Sequence, residues 1–280
     1  MPELPAGSVM YGYPEECARF SARHPLWGEM MANLVKALDI AFTRVQATYS
    51  ICDGFVYFFG RVISEDFMEI TLISQHGYGV AASKLVRSMY EFTVTLEYLH
   101  KHPEEADTFL DYHLVQQDKL LSRIVEIFGE SVIDAKAIEK VRKKAADVKS
   151  DFMIPVCDHP GAKMRLNHTW NKLDFVSMAK TTGDLGDLII PGYYLPLRHA
   201  HPAVGGFAER LEIVNGTMSL KSESQADIAD RSLMTAHNCI LFMLTVQKDH
   251  FKLGALEEPL QVCLRDFVSI WASDSDLLEP

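Results

Sequence analysis

The chain has 280 residues, of which 48% are hydrophobic and 23% are charged, so it can bury a core and is not disordered as a whole. Its formal net charge of −11 argues against broad electrostatic adhesion to nucleic acid or anionic lipid, although an acidic chain can still carry a local basic patch. The five cysteines are scattered and form no C-x-x-C pair, which indicates neither a disulfide framework nor a zinc knuckle.

The start of the chain, MPELPAGSVMYGYPEE, lacks the basic residues and the apolar core of a signal peptide. The most apolar stretch, residues 40–63, contains Arg44, Asp53 and Arg61, and these charges make a membrane span unfavourable. We therefore expect a soluble, cytoplasmic protein that does not enter a membrane.

Helical periodicity dominates the first half of the chain, after a segment 1–25 that we expect to be irregular. The predicted helices of this half are 27–62 with a break near Gly54, then 65–74, 77–100, 103–128 and 131–150. Pro103 and the acidic residues after it are typical of the first turn of a helix.

In the second half, residues 151–169 are predicted to form a loop, because Pro and Gly interrupt them. The predicted helices of this half are 170–180, 188–199, 225–251 and 258–272. Alternating runs around Asn215-Gly216 predict a β-hairpin, since both residues accept positive φ. The fold class is therefore all-α: a multi-helix bundle, one domain over residues 1–280, with one small β-hairpin near Asn215-Gly216.

The sequence GYGVAA, residues 77–82, matches the glycine pattern of dinucleotide-binding folds. That fold needs a second parallel strand that ends in an acidic residue, but Glu97 falls inside a continuous helical pattern. Small residues that let two helices approach closely explain the pattern better.

Glu97 and His100 have the spacing of ligands in di-iron helical bundles. Such sites need a second motif of the same kind, which the chain lacks, although Asp111, His113 or the pair His199 and His201 could add ligands. We expect no bound metal and no cofactor.

Arg87 and Glu91 lie one helical turn apart on the polar side of a predicted helix. Such a pair on a solvated face contributes a few tenths of a kcal/mol, and Arg before Glu is the less favourable order for it. The residues alone leave open whether the pair is a surface ion pair or one wall of a site.

Residues 81–121, AASKLVRSMYEFTVTLEYLHKHPEEADTFLDYHLVQQDKLL, resemble the core of the bacterial domain-of-unknown-function 5677 family. The family pattern is a small-residue run, L-x-R-x-x-x-E, an apolar helix and a Pro-Glu restart. Its second signature, a Tyr, then a polar residue and then a His near a helix end, is similar to YYLPLRHAHPA, residues 193–203, although Arg198 stands where serine is usual. The resemblance covers roughly residues 27–251 and implies no settled activity.

The all-helical plan is also similar, more distantly, to the HEPN superfamily, whose ribonucleases use an Arg to steady a phosphate and a nearby His to move a proton. Two pairs have this spacing, Arg19 with His24 and Arg231 with His237. That is about the number that chance gives, and His201 has no Arg at the corresponding position.

We predict, from the resemblance and the unfavourable Arg-to-Glu order, that Arg87 lies within hydrogen-bond or salt-bridge reach of Glu91 or of a residue between Tyr193 and His201. In this site Arg87 binds a phosphate or carboxylate of the ligand, Glu91 orients the side chain of Arg87, and His201 transfers protons. The residues expected to bind the ligand are Tyr194, Arg198 and His199.

Two functions stay open. The first is a HEPN-like enzyme or sensor that acts, as a monomer or as a homodimer, on a phosphate-bearing ligand such as a nucleotide or RNA in stress or phage defence. The second is a non-catalytic helical interaction module whose polar cluster is structural. A buried and fully paired cluster favours the module, whereas an open cleft with unpaired Arg87 and His201 favours the ligand site.

Overall fold

The computed structural model describes residues 13–43, 50–157, 159, 161–201, 204–214, 216–221 and 223–271. It confirms the all-α fold class. The α-helices of this part are α1 (Glu16–Arg23), α2 (Trp27–Phe42), α3 (Ile51–Gln75), α4 (Gly79–Lys101), α5 (Ala106–Phe128), α6 (Ala135–Lys149), α7 (Phe175–Lys180), α8 (Asp184–Asp187), α9 (Leu195–Ala200), α10 (Val204–Ala208), α11 (Ala226–His250) and α12 (Glu257–Trp271). The strands are β1 (Met153–Pro155), β2 (Met164–Leu166), β3 (Leu211–Val214) and β4 (Thr217–Leu220).

The centre of the fold is formed by α3, α4 and α11, which pack on one another. About half of the residues of α4 and α11 are buried, whereas the buried residues of α3 largely follow one face at three- and four-residue spacing. Two buried side chains of this centre donate hydrogen bonds to backbone carbonyls: Gln247 Nε2 to Val56 at 2.6 Å, and the Tyr90 hydroxyl to Leu185 at 3.1 Å. Among the described helices, none combines the length and the apolar character that crossing a bilayer requires.

The glycines of GYGVAA bring α4 against the start of α11. A Cβ on Gly79 would lie 2.4 Å from the carbonyl oxygen of Gln225, so only glycine permits this approach. The Gln225 amide donates to the carbonyl of Gly77 at 3.0 Å, and the Val80 amide donates to Gln225 Oε1 at 3.0 Å. The close-packing interpretation is therefore confirmed.

The predicted break near Gly54 and the separate helix over 65–74 are wrong, because α3 runs without interruption from Ile51 to Gln75. Its start is fixed by a capping box, in which the Ser50 side chain and the Asp53 side chain each bind the backbone amide of the other residue. Gly54 lies in the first turn, where glycine is tolerated.

Two segments expected to be irregular contain regular structure. Within 1–25, residues 13–25 are described and include α1, whose buried Glu16 pairs with Arg23 at 2.9 Å and accepts from Ser224 at 2.8 Å. These polar contacts add to the burial of Phe20, which anchors α1 in the core. Within 151–169, β1 and β2 form an antiparallel hairpin in which Met153 pairs with Leu166.

The hairpin near Asn215-Gly216 is confirmed, since β3 and β4 pair in antiparallel register and Gly216 has φ of +79°. Asn215 itself lies outside the described residues. The organisation of the whole chain as one domain stays a prediction.

The predicted helix over 188–199 is interrupted by a π-helical turn, Ile190–Tyr194, which leads into α9. A Cβ on Gly192 would lie 2.6 Å from the ring of Tyr90, so this turn packs directly on the side of α4. Turns of this kind are rare and often lie at functional sites. Because of this packing, the second sequence signature, residues 193–203, begins against the face of α4 that bears Arg87.

Candidate functional site

Arg87 is held by two contacts. Its Nε donates to Glu91 Oε1 at 2.9 Å, and its guanidinium carbon lies 4.5 Å from the centre of the Tyr193 ring. The hydrogen bond to Glu91 is one that the sequence predicted, whereas the contact with Tyr193 is a cation–π contact. The side chains of Arg87 and Glu91 are 23% and 42% exposed, so the ion pair and the cation–π contact together contribute about 1 kcal/mol, well below the value of a fully buried pair.

These contacts tie α4 to the π-helical turn. Tyr193 also stacks on Phe175, with ring centres 4.8 Å apart, and Tyr194 packs edge-on against Tyr193 at 5.4 Å while its own side chain stays exposed. Arg87 is therefore engaged within the protein, and neither it nor Glu91 lines the neighbouring cavity.

That cavity has a volume of about 570 Å³, within the range of small-molecule sites. It is lined by Lys84, Arg198, His199, Ala200, His201, Val204, Gly206, Phe207 and Arg210. Five of these residues are basic side chains or imidazoles, and no carboxylate is among them. The cavity is thus a basic site on an acidic chain of net charge −11.

The three cations of the cavity differ in their partners. Arg198 forms an ion pair at 2.7 Å with Glu209, a residue that does not itself line the cavity. Lys84 and Arg210 are exposed, and no carboxylate in the described part of the chain comes within 4.0 Å of either. They are consequently free to bind an anion without breaking an ion pair.

His199 forms a buried part of the wall. Its side chain is 6% exposed, its Nε2 lies 3.2 Å from Glu209 Oε2, and its Nδ1 has no hydrogen-bond partner among the described residues. Burial lowers the pKa of His199; Glu209 opposes this shift, while Arg198 and the other nearby cations add to it. Burial therefore favours the neutral imidazole, in which one ring nitrogen can accept a hydrogen bond.

His201 lies at the mouth of the cavity, directly after α9, where the backbone turns extended. Its side chain is exposed, and within the described ranges it has no hydrogen-bond or ion-pair partner. An exposed, unpaired imidazole beside a basic cavity is well placed to exchange protons with a ligand or with water.

The sequence-predicted site residues thus fall into two groups. Arg198, His199 and His201 meet at the cavity, whereas Arg87, Glu91 and Tyr194 lie outside its lining. Sequence reasoning missed two lining cations. Lys84 could have been found, because it stands one turn before Arg87 on the same polar side of α4, but no sequence signal marks Arg210.

Neither Arg and His pair with HEPN-like spacing forms a site. His237 is fully buried, accepts a hydrogen bond from Trp271 Nε1 at 3.1 Å and has its pKa lowered to about 3 by burial, while Arg231 is exposed. In the other pair, exposed Arg19 binds Glu15 at 2.9 Å and His24 is buried against Trp271.

Glu97 and His100, which have the spacing of di-iron ligands, each contact a different residue. Glu97 pairs with Lys101 at 2.8 Å, and His100 Nδ1 lies 3.0 Å from Nδ1 of His250. In the part of the chain that the structure describes, no group of three or more His, Cys, Asp or Glu side chains is arranged to hold a metal ion.

Comparison with known proteins gives one match. A family model described as "Family of unknown function (DUF5677)" matches residues 55–218, which include α4, α9 and every residue that lines the cavity. No curated protein and no solved structure matches the chain.

Proposed function

The chain belongs to the DUF5677 family of unknown function, and we propose from its cavity that the protein binds a phosphate-bearing ligand such as a nucleotide or an RNA end. One observation carries this proposal: Lys84, Arg198 and Arg210 surround a single cavity on a chain whose net charge is −11. Guanidinium and ammonium groups are the side chains that bind phosphate oxygens best, through charge-assisted hydrogen bonds.

Within this proposal the protein is an enzyme or a sensor that acts in stress or phage defence. His201, at the mouth of the cavity, carries the proton if the ligand reacts. Arg87 and Glu91 support the wall from behind by fixing Tyr193 and the turn before α9. The cytoplasmic location and the homodimer stay predictions.

The alternative, a non-catalytic interaction module, has its own supporting observation. Arg87, Arg198 and His199 are each within ion-pair distance of a carboxylate of the same chain, as expected of a cluster that joins helices. The two functions differ over Lys84 and Arg210, which have no such partner among the described residues and no structural task that the module requires.

Calorimetric titration with inorganic pyrophosphate separates the two. The wild type is expected to bind it, and the double variant Lys84→Gln/Arg210→Gln to bind it about 10-fold to 100-fold more weakly, because each lost charge-assisted hydrogen bond is worth about 1.5–3 kcal/mol and part of this is recovered by water. Both side chains are exposed, so the melting temperature should stay close to that of the wild type.

A matched control removes the same charge elsewhere. Lys36 and Arg265 are exposed and have no ion-pair partner in the described residues, so Lys36→Gln/Arg265→Gln should keep the affinity of the wild type. Failure of the wild type to bind pyrophosphate, or equal weakening in both variants, contradicts the proposal and favours the interaction module.

A further inference from the structure

Helix α6 concentrates positive charge on this acidic chain. Its basic residues are Lys136, Lys140, Arg142, Lys143, Lys144 and Lys149. Against these six, α6 carries only two acidic residues, Glu139 and Asp147. It lies far along the chain from the residues that line the cavity and contributes none of them.

The charges are ordered by the packing of the helix. Ile138 and Ala145 are buried, and α6 packs through this face against α5. At 3.6 residues per turn, the side opposite the buried face carries a lysine stripe. The stripe consists of Lys136, Lys140, Lys143 and Lys144, and all four side chains are exposed.

Ion pairing separates the stripe from the other two basic residues of α6. Arg142 lies 3.9 Å from Glu130, and Lys149 lies 3.7 Å from Asp118 of α5, so both use carboxylates beside the packed face. Among the described residues, no carboxylate comes within 4.0 Å of any lysine of the stripe. Even Glu139 and Asp147, each four residues from Lys143, do not pair with it.

The lysines of the stripe repel one another where they lie one turn apart. Lys136 with Lys140, and Lys140 with Lys144, are like charges one turn apart, and each such pair destabilises a helix by a few tenths of a kcal/mol. An extended anion that lies along the helix removes this repulsion and gains four charge contacts.

We propose that the lysine stripe binds the phosphate backbone of a single-stranded nucleic acid, at a site separate from the cavity. The four lysines span about 12 Å along the helix, at 1.5 Å per residue, and all of them are exposed. A row of this length suits a ligand with repeating charge better than a single phosphate. Lysine ammonium groups act as point charges, so the binding carries no base specificity.

A membrane surface fits the same residues less well. A helix that lies on a membrane inserts an apolar face between its basic residues and the acyl chains. The apolar face of α6 is already packed on α5, and the stripe points away from it. Only the charged side is available to a partner, as in recognition of a nucleic-acid backbone.

The test is fluorescence anisotropy with a labelled uridine oligomer of about 16 nucleotides at several salt concentrations. For the wild type, the logarithm of the association constant should fall with the logarithm of the salt concentration with a slope of about −3, since each of four neutralised phosphates contributes about −0.7. Replacing the four stripe lysines by Gln should weaken binding at least about 10-fold at low salt and remove most of this slope.

A control variant has the same net charge. It replaces by Gln four exposed lysines on other elements, Lys36, Lys180, Lys221 and Lys252. This control should bind the oligomer like the wild type. Circular dichroism should give the stripe variant a melting temperature close to that of the wild type, because all four side chains are exposed.

Three outcomes overturn the proposal. The wild type does not bind the oligomer at low salt, or the control variant loses as much affinity for the oligomer as the stripe variant. In the third, the stripe variant loses binding to anionic lipid vesicles in a parallel sedimentation assay but keeps its affinity for the oligomer. The cavity variant Lys84→Gln/Arg210→Gln should retain the stripe's salt slope. The stripe can thus fail while pyrophosphate binding in the cavity stands, and the reverse.

Discussion

Replacing Gly79 by Ala is expected to lower the free energy of unfolding by about 3 kcal/mol or more. An added Cβ would lie 2.4 Å from the carbonyl oxygen of Gln225 and 2.6 Å from the amide nitrogen of Ala229. Both are backbone atoms of the segment that starts α11, so the two helices must separate. Separation also stretches the hydrogen bond from the Val80 amide to Gln225 Oε1.

Thermal unfolding followed by circular dichroism measures this effect. A loss of about 3 kcal/mol corresponds to a fall of about 6–12 °C in the melting temperature of a chain of this size. Gly54→Ala is the matched control, because Gly54 also lies in the first turn of a long helix and a Cβ there meets no described atom within 4 Å. It should be neutral or stabilising by up to about 1 kcal/mol. Equal melting temperatures for the two variants would show that the α4–α11 approach is not tight.

Asp66→Asn is expected to stabilise the protein at pH 8 by about 1–2 kcal/mol. Burial, with smaller contributions from Glu69 and Glu65, raises the pKa of Asp66 to about 6, and its Oδ2 has no hydrogen-bond partner among the described residues. Because the pKa is higher in the folded than in the unfolded chain, ionisation of Asp66 destabilises the fold above pH 6. The full shift in the pKa would give a larger gain, but Asp66 is only partly buried.

The stabilisation by Asp66→Asn should increase as the pH rises. It is complete above about pH 6 and shrinks as the pH falls towards 4, where Asp66 is protonated in both states. Urea unfolding at pH 8, 6 and 4.5 measures it, with Glu223→Gln as a control that removes one charge from an exposed position. A gain that is the same at all three pH values, or one that the control reproduces, would contradict the assignment to a buried carboxyl group.

Much of the fold could be predicted from local patterns. Both α4 and α11 begin and end within two residues of their predicted bounds, because long periodic helices flanked by breaking residues carry their own signal. The start of α3 was predicted wrongly, because Gly54 was interpreted as a helix break. The capping box of Ser50 and Asp53 determines where the helix begins.

The candidate site was predictable only in part. The contact between Arg87 and Glu91 could be predicted, because residues four apart in the sequence are neighbours on the surface of a helix. The cavity depends on tertiary packing: a Cβ on Gly206 would meet the carbonyl oxygen of Arg198, so α10 lies directly on α9 and carries Phe207 and Arg210 to the site. No local pattern encodes this approach of two short helices.

The central claim is that the cavity of His199 and His201 binds a phosphate-bearing ligand, and histidine side-chain NMR tests it most directly. In a protein with 15N-labelled histidines, assigned with His199→Gln and His201→Gln, pyrophosphate should shift these two imidazole signals and saturate. The signal of His113, which is exposed on α5 and lines no part of the cavity, should not move. Unchanged signals of His199 and His201 at saturating pyrophosphate, or an equal shift of His113, would contradict the account.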